Sequence, residues 1–501
     1  MDIITAEKIY REYGDKLRAY NHAMGILVYD KVTAAPRGAE ARVSETLEVL
    51  NEAAYKLEMS EELSEAVDYL YDHRNELSAK TRREIEVYRR GIDYMRSIPE
   101  DEYMAYMSLV NEAQDVWRRA KEENDYALFS PYLQKIFDTN RKFALYYKPD
   151  CDPYDTLLDF FEKGLTKERC DAFFDALKAA LVPLIARVVE AKPIEDGFMH
   201  AHFSVDAQRH LSDYLMKVMA IDRGRCAIGE TEHPFTDNYG KNDVRITTHY
   251  YENDLTDSMY SVVHEGGHAL YELGSGDEYE KTNLAGGASM AMHETISRFY
   301  ENIVGRSEAF CRLIFPRVRE LFPDAFADVT PEQFYRACNV SRPSLIRTQA
   351  DELTYPLHII VRYEIERDMI GGKYTTEDIP RVWREKYRHY LGVDVPDDTR
   401  GALQDSHWSG GAIGYFPTYA LGSAYGAQIL HTIEKELDIS DAVSSGSTAA
   451  LNDWLGEHIF RHGGMYDPDV LLRMCTGEDF SPRYYIDYLT DKYTRLYGLD
   501  K

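Results

Sequence analysis

Apolar residues recur at three- and four-residue spacing, inside charged surroundings, through most of this chain. The segment SEELSEAVDYLYDHRNEL from Ser60 and the longer RCDAFFDALKAALVPLIARVVEA from Arg169 both show it. Such spacing gathers the apolar side chains on one stripe of an α-helix. Proline and glycine are sparse through the first 145 residues, which read as several consecutive helices without a fixed-period repeat. The pattern turns to alternation at DVRITTHYY from Asp243, where Val244 and Ile246 alternate with Asp243, Arg245, Thr247 and His249. Alternation predicts a half-buried strand, here with an arginine and a histidine on its polar face. A mainly α fold with a small sheet is expected, and no proline-rich, serine-rich or low-complexity linker divides residues 1–501.

The strand is followed closely by LTDSMYSVVHEGGHALYELG. Helical spacing puts His264 and His268 one turn apart on one face, within reach of a single ion, with Glu265 beside them to accept a proton from water. The bland alternative is a core helix whose histidines happen to be four apart. Gly266 and Gly267 weigh against it: each costs a helix interior about 1 kcal/mol relative to alanine. Something should therefore need that bare backbone, such as a closely approaching substrate or a neighbouring strand.

Catalytic zinc commonly keeps three protein ligands and an open position, so a third ligand is required. The metzincin arrangement is excluded, because Tyr271 and Gly274 stand where its glycine and third histidine would be. A glutamate from a second helix is the other common solution. ASMAMHETISRFYENIVG, from Ala288 after Gly286 and Gly287, supplies Glu294 and, on the same face two turns later, Glu301 as the fallback. The competing role for Glu294 is an i,i+4 ion pair with Arg298.

Charge and cysteine content narrow the partners. With 58 basic and 86 acidic residues the formal charge is −28, which argues against nucleic acid or an anionic membrane. No stretch approaches the roughly 20 apolar residues of a membrane span, and no basic-then-apolar leader opens the chain. Cys151, Cys170, Cys226, Cys311, Cys338 and Cys475 are scattered, as expected of reduced thiols in a cytoplasmic protein.

The chain resembles the thermostable carboxypeptidase Taq family of metallopeptidases. The matching segments run in order: HPF at His233, DVRIT at Asp243, HEGGH at His264, HET at His293, IRTQAD at Ile346 and GALQDSHW at Gly401. Weaker echoes are PRGAEAR from Pro36, YDTLLDFFEKGLT from Tyr154, VRYEIE from Val361 and GYFPTYALG from Gly414. Two departures are Tyr29 where the family usually has tryptophan, and HET in place of HES.

The resemblance implies a helical fold of two lobes around a deep cleft, usually as a homodimer. It implies metal ligation by His264, His268 and Glu294, with Glu265 as base, zinc as the metal and cobalt as a substitute. The implied activity is removal of residues from peptide carboxyl ends with broad specificity.

A carboxypeptidase must also grip the terminal carboxylate, for which arginine's planar fork is suited. Arg347 and Arg245 are the candidates. Their ordinary alternatives are an i,i+4 pair of Arg347 with Asp351 and a surface ion pair for Arg245. His407 and Tyr415 are candidate oxyanion donors, against core packing for both and for Tyr419; His233 is set aside as a turn-shaping residue. The rival functions are an internally cutting oligopeptidase, which leaves the arginines without a task, and a helical binding protein with a structural metal.

Overall fold

The computed structural model describes residues 1–499. The amphipathic segments form helices whose starts are set by side-chain caps. Ser60 accepts from the Leu63 amide to open Glu61–Asp72, which buries Leu63, Ala66, Val67 and Leu70 on one stripe. Thr166 caps Lys167–Glu190 in the same way through the Arg169 amide. The cap satisfies an amide that the first helical turn leaves without a partner.

Three strands form one sheet in the order β1 (Cys226–Glu230), β3 (Val244–Thr248), β2 (Thr236–Asn238). β1 runs parallel to β3, with Cys226 opposite Val244, and β2 runs antiparallel to it, with Thr236 opposite Ile246. The expected strand is thus β3, but it ends at Thr248 and leaves His249 outside. Thr247, placed by alternation on the polar face, is wholly buried. Its hydroxyl remains satisfied because it accepts from the Phe235 amide at 2.9 Å, so burial leaves no polar group unpaired.

The helix Leu255–Gly274, here the metal helix, begins soon after β3 ends at Thr248; Asp254 caps it by accepting from the amides of Thr256 and Asp257. The second ligand helix, Met290–Arg298, is capped by Ser289 and continues through a π-helical turn, Phe299–Val304. A third helix, Pro417–Ile433, packs on the opposite side of it.

The two glycines of HEGGH find different neighbours. A Cβ on Gly267 would stand 2.8 Å from Ser297 Cα and 2.9 Å from the Ile296 carbonyl oxygen. The close approach is therefore by the backbone of the second ligand helix, in place of the substrate or strand expected. A Cβ on Gly266 would meet the Met219 side chain at 2.8 Å. On its far side the second ligand helix meets Gly422, where a Cβ would come within 2.9 Å of Glu294 Cβ. Glu294 is held in a layer that two bare helix faces make thin.

The main hydrophobic core runs through most of the chain. A second, smaller core joins Ala6, Tyr10, Leu63, Ala66, Val67, Leu70, Leu77 and Ile85 near the amino end. All six cysteines are free thiols, and no helix of the described residues is long and apolar enough to cross a membrane.

Candidate metal centre and active site

His264 and His268 point their Nε2 atoms towards Glu294 Oε2, at 3.8 and 3.7 Å. One ligand atom from each residue lies within 4.8 Å of the others. Two imidazoles and a carboxylate are a donor set suited to zinc, whose bonds to such ligands are about 2.0–2.2 Å. The spacing lets one ion sit among all three, so the residues fit a metal.

Each histidine is oriented from behind. His264 Nδ1 lies 2.8 Å from Glu301 Oε2. His268 Nδ1 lies 2.8 Å from His293 Nδ1, and His293 Nε2 lies 2.5 Å from Glu272 Oε1. Asn238 of β2 donates in turn to Glu272. With Nδ1–H donating outwards in both ligands, each Nε2 lone pair is left facing the centre. The supporting roles of His293 and Glu272 escaped the sequence reading, although His293 opens HET and Glu272 stands four residues beyond His268 on the same face.

Burial opposes ionisation of Glu301, but the charges of Arg298 and Arg306 and the bond to His264 prevail and bring it down to about 2. The fallback ligand thus serves as a charged support behind His264. The ion pair weighed as the rival role for Glu294 exists alongside the ligand geometry: Arg298 Nε donates to Glu294 Oε1 at 2.7 Å, while Oε2 faces the histidines.

Glu265 is buried on the same helix, and burial raises its pKa, the nearby His264 and Thr236 offsetting part of the effect. Its Oε2 accepts from Thr236 Oγ1 at 2.6 Å. Thr236 lies on β2, a strand too short for alternation to reveal, and HPF, ending at Phe235, was the sequence signal nearest to it.

Arg347 is buried and pairs with Asp405, not with Asp351. Its Nε and Nη2 each reach Asp405 Oδ1 at 2.9 Å, and Nη1 donates to the Tyr355 hydroxyl at 3.2 Å. Asp351 instead accepts from the Leu353 and Thr354 amides. Asp405 Oδ2 is held by the fully buried Arg362 at 2.6 Å. Two guanidinium groups thus face one carboxylate, and the cluster keeps an excess of positive charge. Arg362 stood in the weaker echo VRYEIE, where nothing in the spacing marked it.

Tyr355 links this cluster to the metal ligands, since the Arg298 guanidinium stacks over its ring at 4.2 Å. His407 Nε2 lies 3.1 Å from the Tyr419 hydroxyl, and its buried Nδ1 has no hydrogen-bond partner among the described residues. Burial, reinforced by the charge of Arg347, pushes His407 down to about 4, so the ring is neutral near pH 7. Tyr415 stacks beside it at 5.7 Å; burial and the charge of Glu294 push its phenol up to about 12.

Arg245 belongs to a different cluster. Its fork closes on Asp243, Nε to Oδ1 at 2.8 Å and Nη2 to Oδ2 at 2.7 Å. The guanidinium lies 5.0 Å from the rings of both Tyr29 and Tyr239. The structure therefore gathers His264, Glu265, His268, Glu294, Arg347, His407 and Tyr415 into one linked neighbourhood and sets Arg245 against Tyr29 of the first helix, Ile3–Thr33.

Comparison with known proteins bears on the chain as a whole. Residues 9–493 match the family model described as carboxypeptidase Taq (M32) metallopeptidase. Carboxypeptidase 1 of Bacillus subtilis is 38% identical over 100% of both chains. Thermostable carboxypeptidase 1 of Pyrococcus furiosus is 33% identical over 98% of each. The crystal structure of an M32 carboxypeptidase from Deinococcus radiodurans superposes with a TM-score of 0.95 at 34% identity, covering 99% of this chain and 100% of that one. With whole-length matches in sequence and fold, this chain belongs to the carboxypeptidase Taq (M32) family and is a metallocarboxypeptidase.

Proposed function

We infer that the chain is a zinc-dependent carboxypeptidase that removes residues of broad identity from peptide carboxyl ends. The observation that supports it best is the convergence of His264 Nε2, His268 Nε2 and Glu294 Oε2 with Glu265 alongside. A zinc ion held by those three residues, or cobalt in its place, would supply a Lewis acid that polarises the scissile carbonyl and acidifies water.

The chain's own groups divide the remaining work. Thr236 holds Glu265 Oε2, which leaves Oε1 to take a proton from the attacking water and pass it to the departing amine. Tyr415 keeps its phenolic proton at neutral pH and donates to the developing oxyanion, with His407 beside it in the same role. Arg347, with Arg362 supplying a second positive charge against the single Asp405, receives the substrate's terminal carboxylate. Arg245 remains the second candidate for that task, with its fork already closed on Asp243. The substrates are peptides with a free carboxyl end. A cytoplasmic form without nucleic-acid or membrane partners is what the negative charge and the free thiols support, and a homodimer is what the family resemblance implies.

The test pairs metal analysis of the purified protein with mass spectrometry of a digested peptide mixture. Stoichiometric zinc and a ladder of carboxyl-terminal truncations is the expected outcome. In parallel, a blocked dipeptide is compared with its carboxyl amide. Equal hydrolysis of acid and amide by the wild type would remove the arginine cluster from substrate binding, and internal cleavage products would favour an oligopeptidase.

A further inference from the structure

A carboxylate can bind a metal through one oxygen or both, and the choice sets how many positions remain for water and substrate. At Glu294 the two oxygens have separate partners. Oε1 accepts from Arg298 Nε at 2.7 Å, and Oε2 faces both histidines. Ser297 Oγ, 3.2 Å from Oε2 and 3.0 Å from the Glu294 carbonyl oxygen, adds a contact from the same helix.

Arg298 is itself pinned. Its Nη1 donates to Glu301 Oε2 at 3.1 Å, the oxygen that also bonds His264 Nδ1. Its guanidinium is stacked on Tyr355 and largely shielded from water. One guanidinium therefore contacts a ligand directly and, through Glu301, the support of a second ligand. His268 is held independently, through His293 and Glu272.

We propose that Arg298 is a positioning residue that occupies the second oxygen of Glu294, keeps it a one-oxygen ligand, and so preserves an open position at the metal centre. This rests on the metal site of the proposed function and goes beyond it by assigning the control of ligand number to a residue outside the triad. An exposed i,i+4 ion pair would contribute little. Here the pair is nearly buried, and its geometry decides which oxygen is free.

Cobalt(II) provides a readout apart from turnover, because its visible bands weaken as coordination number rises. In cobalt-loaded R298M, Glu294 gains a free second oxygen, and the bands should weaken severalfold relative to wild type. E301Q removes the other carboxylate but leaves the bond from Arg298 to Glu294, and should keep a spectrum close to wild type. An unchanged R298M spectrum overturns the proposal. Equal weakening in E301Q overturns it too, since the effect then runs through His264.

X-ray absorption of the zinc-loaded wild type needs no variant. A long metal-to-carboxylate-carbon distance supports a one-oxygen Glu294, and a short, chelating one overturns it. Wild-type protein that binds neither ion overturns the metal centre along with this inference. Wild type that binds and hydrolyses while R298M keeps its spectrum overturns the inference alone.

Discussion

Two side chains of the site separate roles that a static arrangement leaves mixed. Glu265 is held by Thr236 and lies outside the convergent set of His264, His268 and Glu294, so Glu265→Gln should retain metal while losing about 10²–10⁴ in kcat, the usual share of a general base. Metal content and hydrolysis of a blocked dipeptide, measured on one preparation, check it; loss of metal with activity retained contradicts the role. His407 makes a prediction about stability. The unfolded chain protonates this histidine near pH 6.5, whereas burial and Arg347 hold it down to about 4 in the fold. Between those values the unfolded state binds the extra proton, so stability is present above about pH 6.5 and falls as pH drops towards 4, by roughly 3 kcal/mol in all. His407→Gln removes that component, and urea unfolding at pH 7, 5.5 and 4.5 should show a shallower decline than wild type; parallel declines refute it. At this scale the shared face of His264 and His268, which Glu294 comes to meet, was legible because helical spacing fixes which residues lie together. Thr236, Arg362, Glu272 and His293 were obscure as supports, because their roles depend on contacts between segments that spacing does not encode.

Elements carry the precision of the centre through how closely their backbones approach. The metal helix and second ligand helix were legible from periodicity and from the glycine pair before Ala288. Strands β1 and β2, with five and three residues, were too short to alternate visibly, and the π-turn after Arg298 has no periodic signature. The glycines of HEGGH were visible as an anomaly, but their neighbours were not, and the two now differ in consequence. Gly267→Ala drives a methyl into the backbone at Ser297 and Ile296, which cannot rotate away. It should destabilise the fold by about 1–3 kcal/mol, the usual penalty for overpacking, and displace Glu294 enough to weaken metal binding. Gly266→Ala meets only side chains, the flexible Met219 and the Cδ1 of Ile221, so its penalty is smaller, and the better helix propensity of alanine offsets part of it. Chemical denaturation and zinc titration of both variants decide the matter. Equal effects would mean that backbone contact between the helices does not set the ligand distances.

At the scale of the molecule, the mainly helical fold was legible in the absence of linkers and the abundance of amphipathic segments, but the division of its core was not. The helices of the small amino-terminal core meet the remainder partly through aromatic contacts, such as Tyr29 on Phe235, and partly through polar ones. Asn283 donates to the Glu84 carbonyl oxygen and Tyr239 to that of Gly25, both at 3.0 Å; Arg83 bonds the Gly464 carbonyl oxygen and Asp467. Such contacts exchange readily with water and contribute about 1 kcal/mol each or less, whereas burial of the large core is the main source of cooperative stability. The three proposed ligands, by contrast, all lie on helices of the large core, and an ion bound to the folded state alone would raise the free energy of opening for that unit. Hydrogen exchange should therefore show the amides of Glu61–Asp72 opening at lower free energy than those of Leu255–Gly274. Added zinc should slow exchange in Leu255–Gly274 and Met290–Arg298 far more than in Glu61–Asp72. If all three helices instead exchange together and slow together, the polar seam transmits opening between the cores, and the chain unfolds as one cooperative unit despite its two clusters of buried side chains.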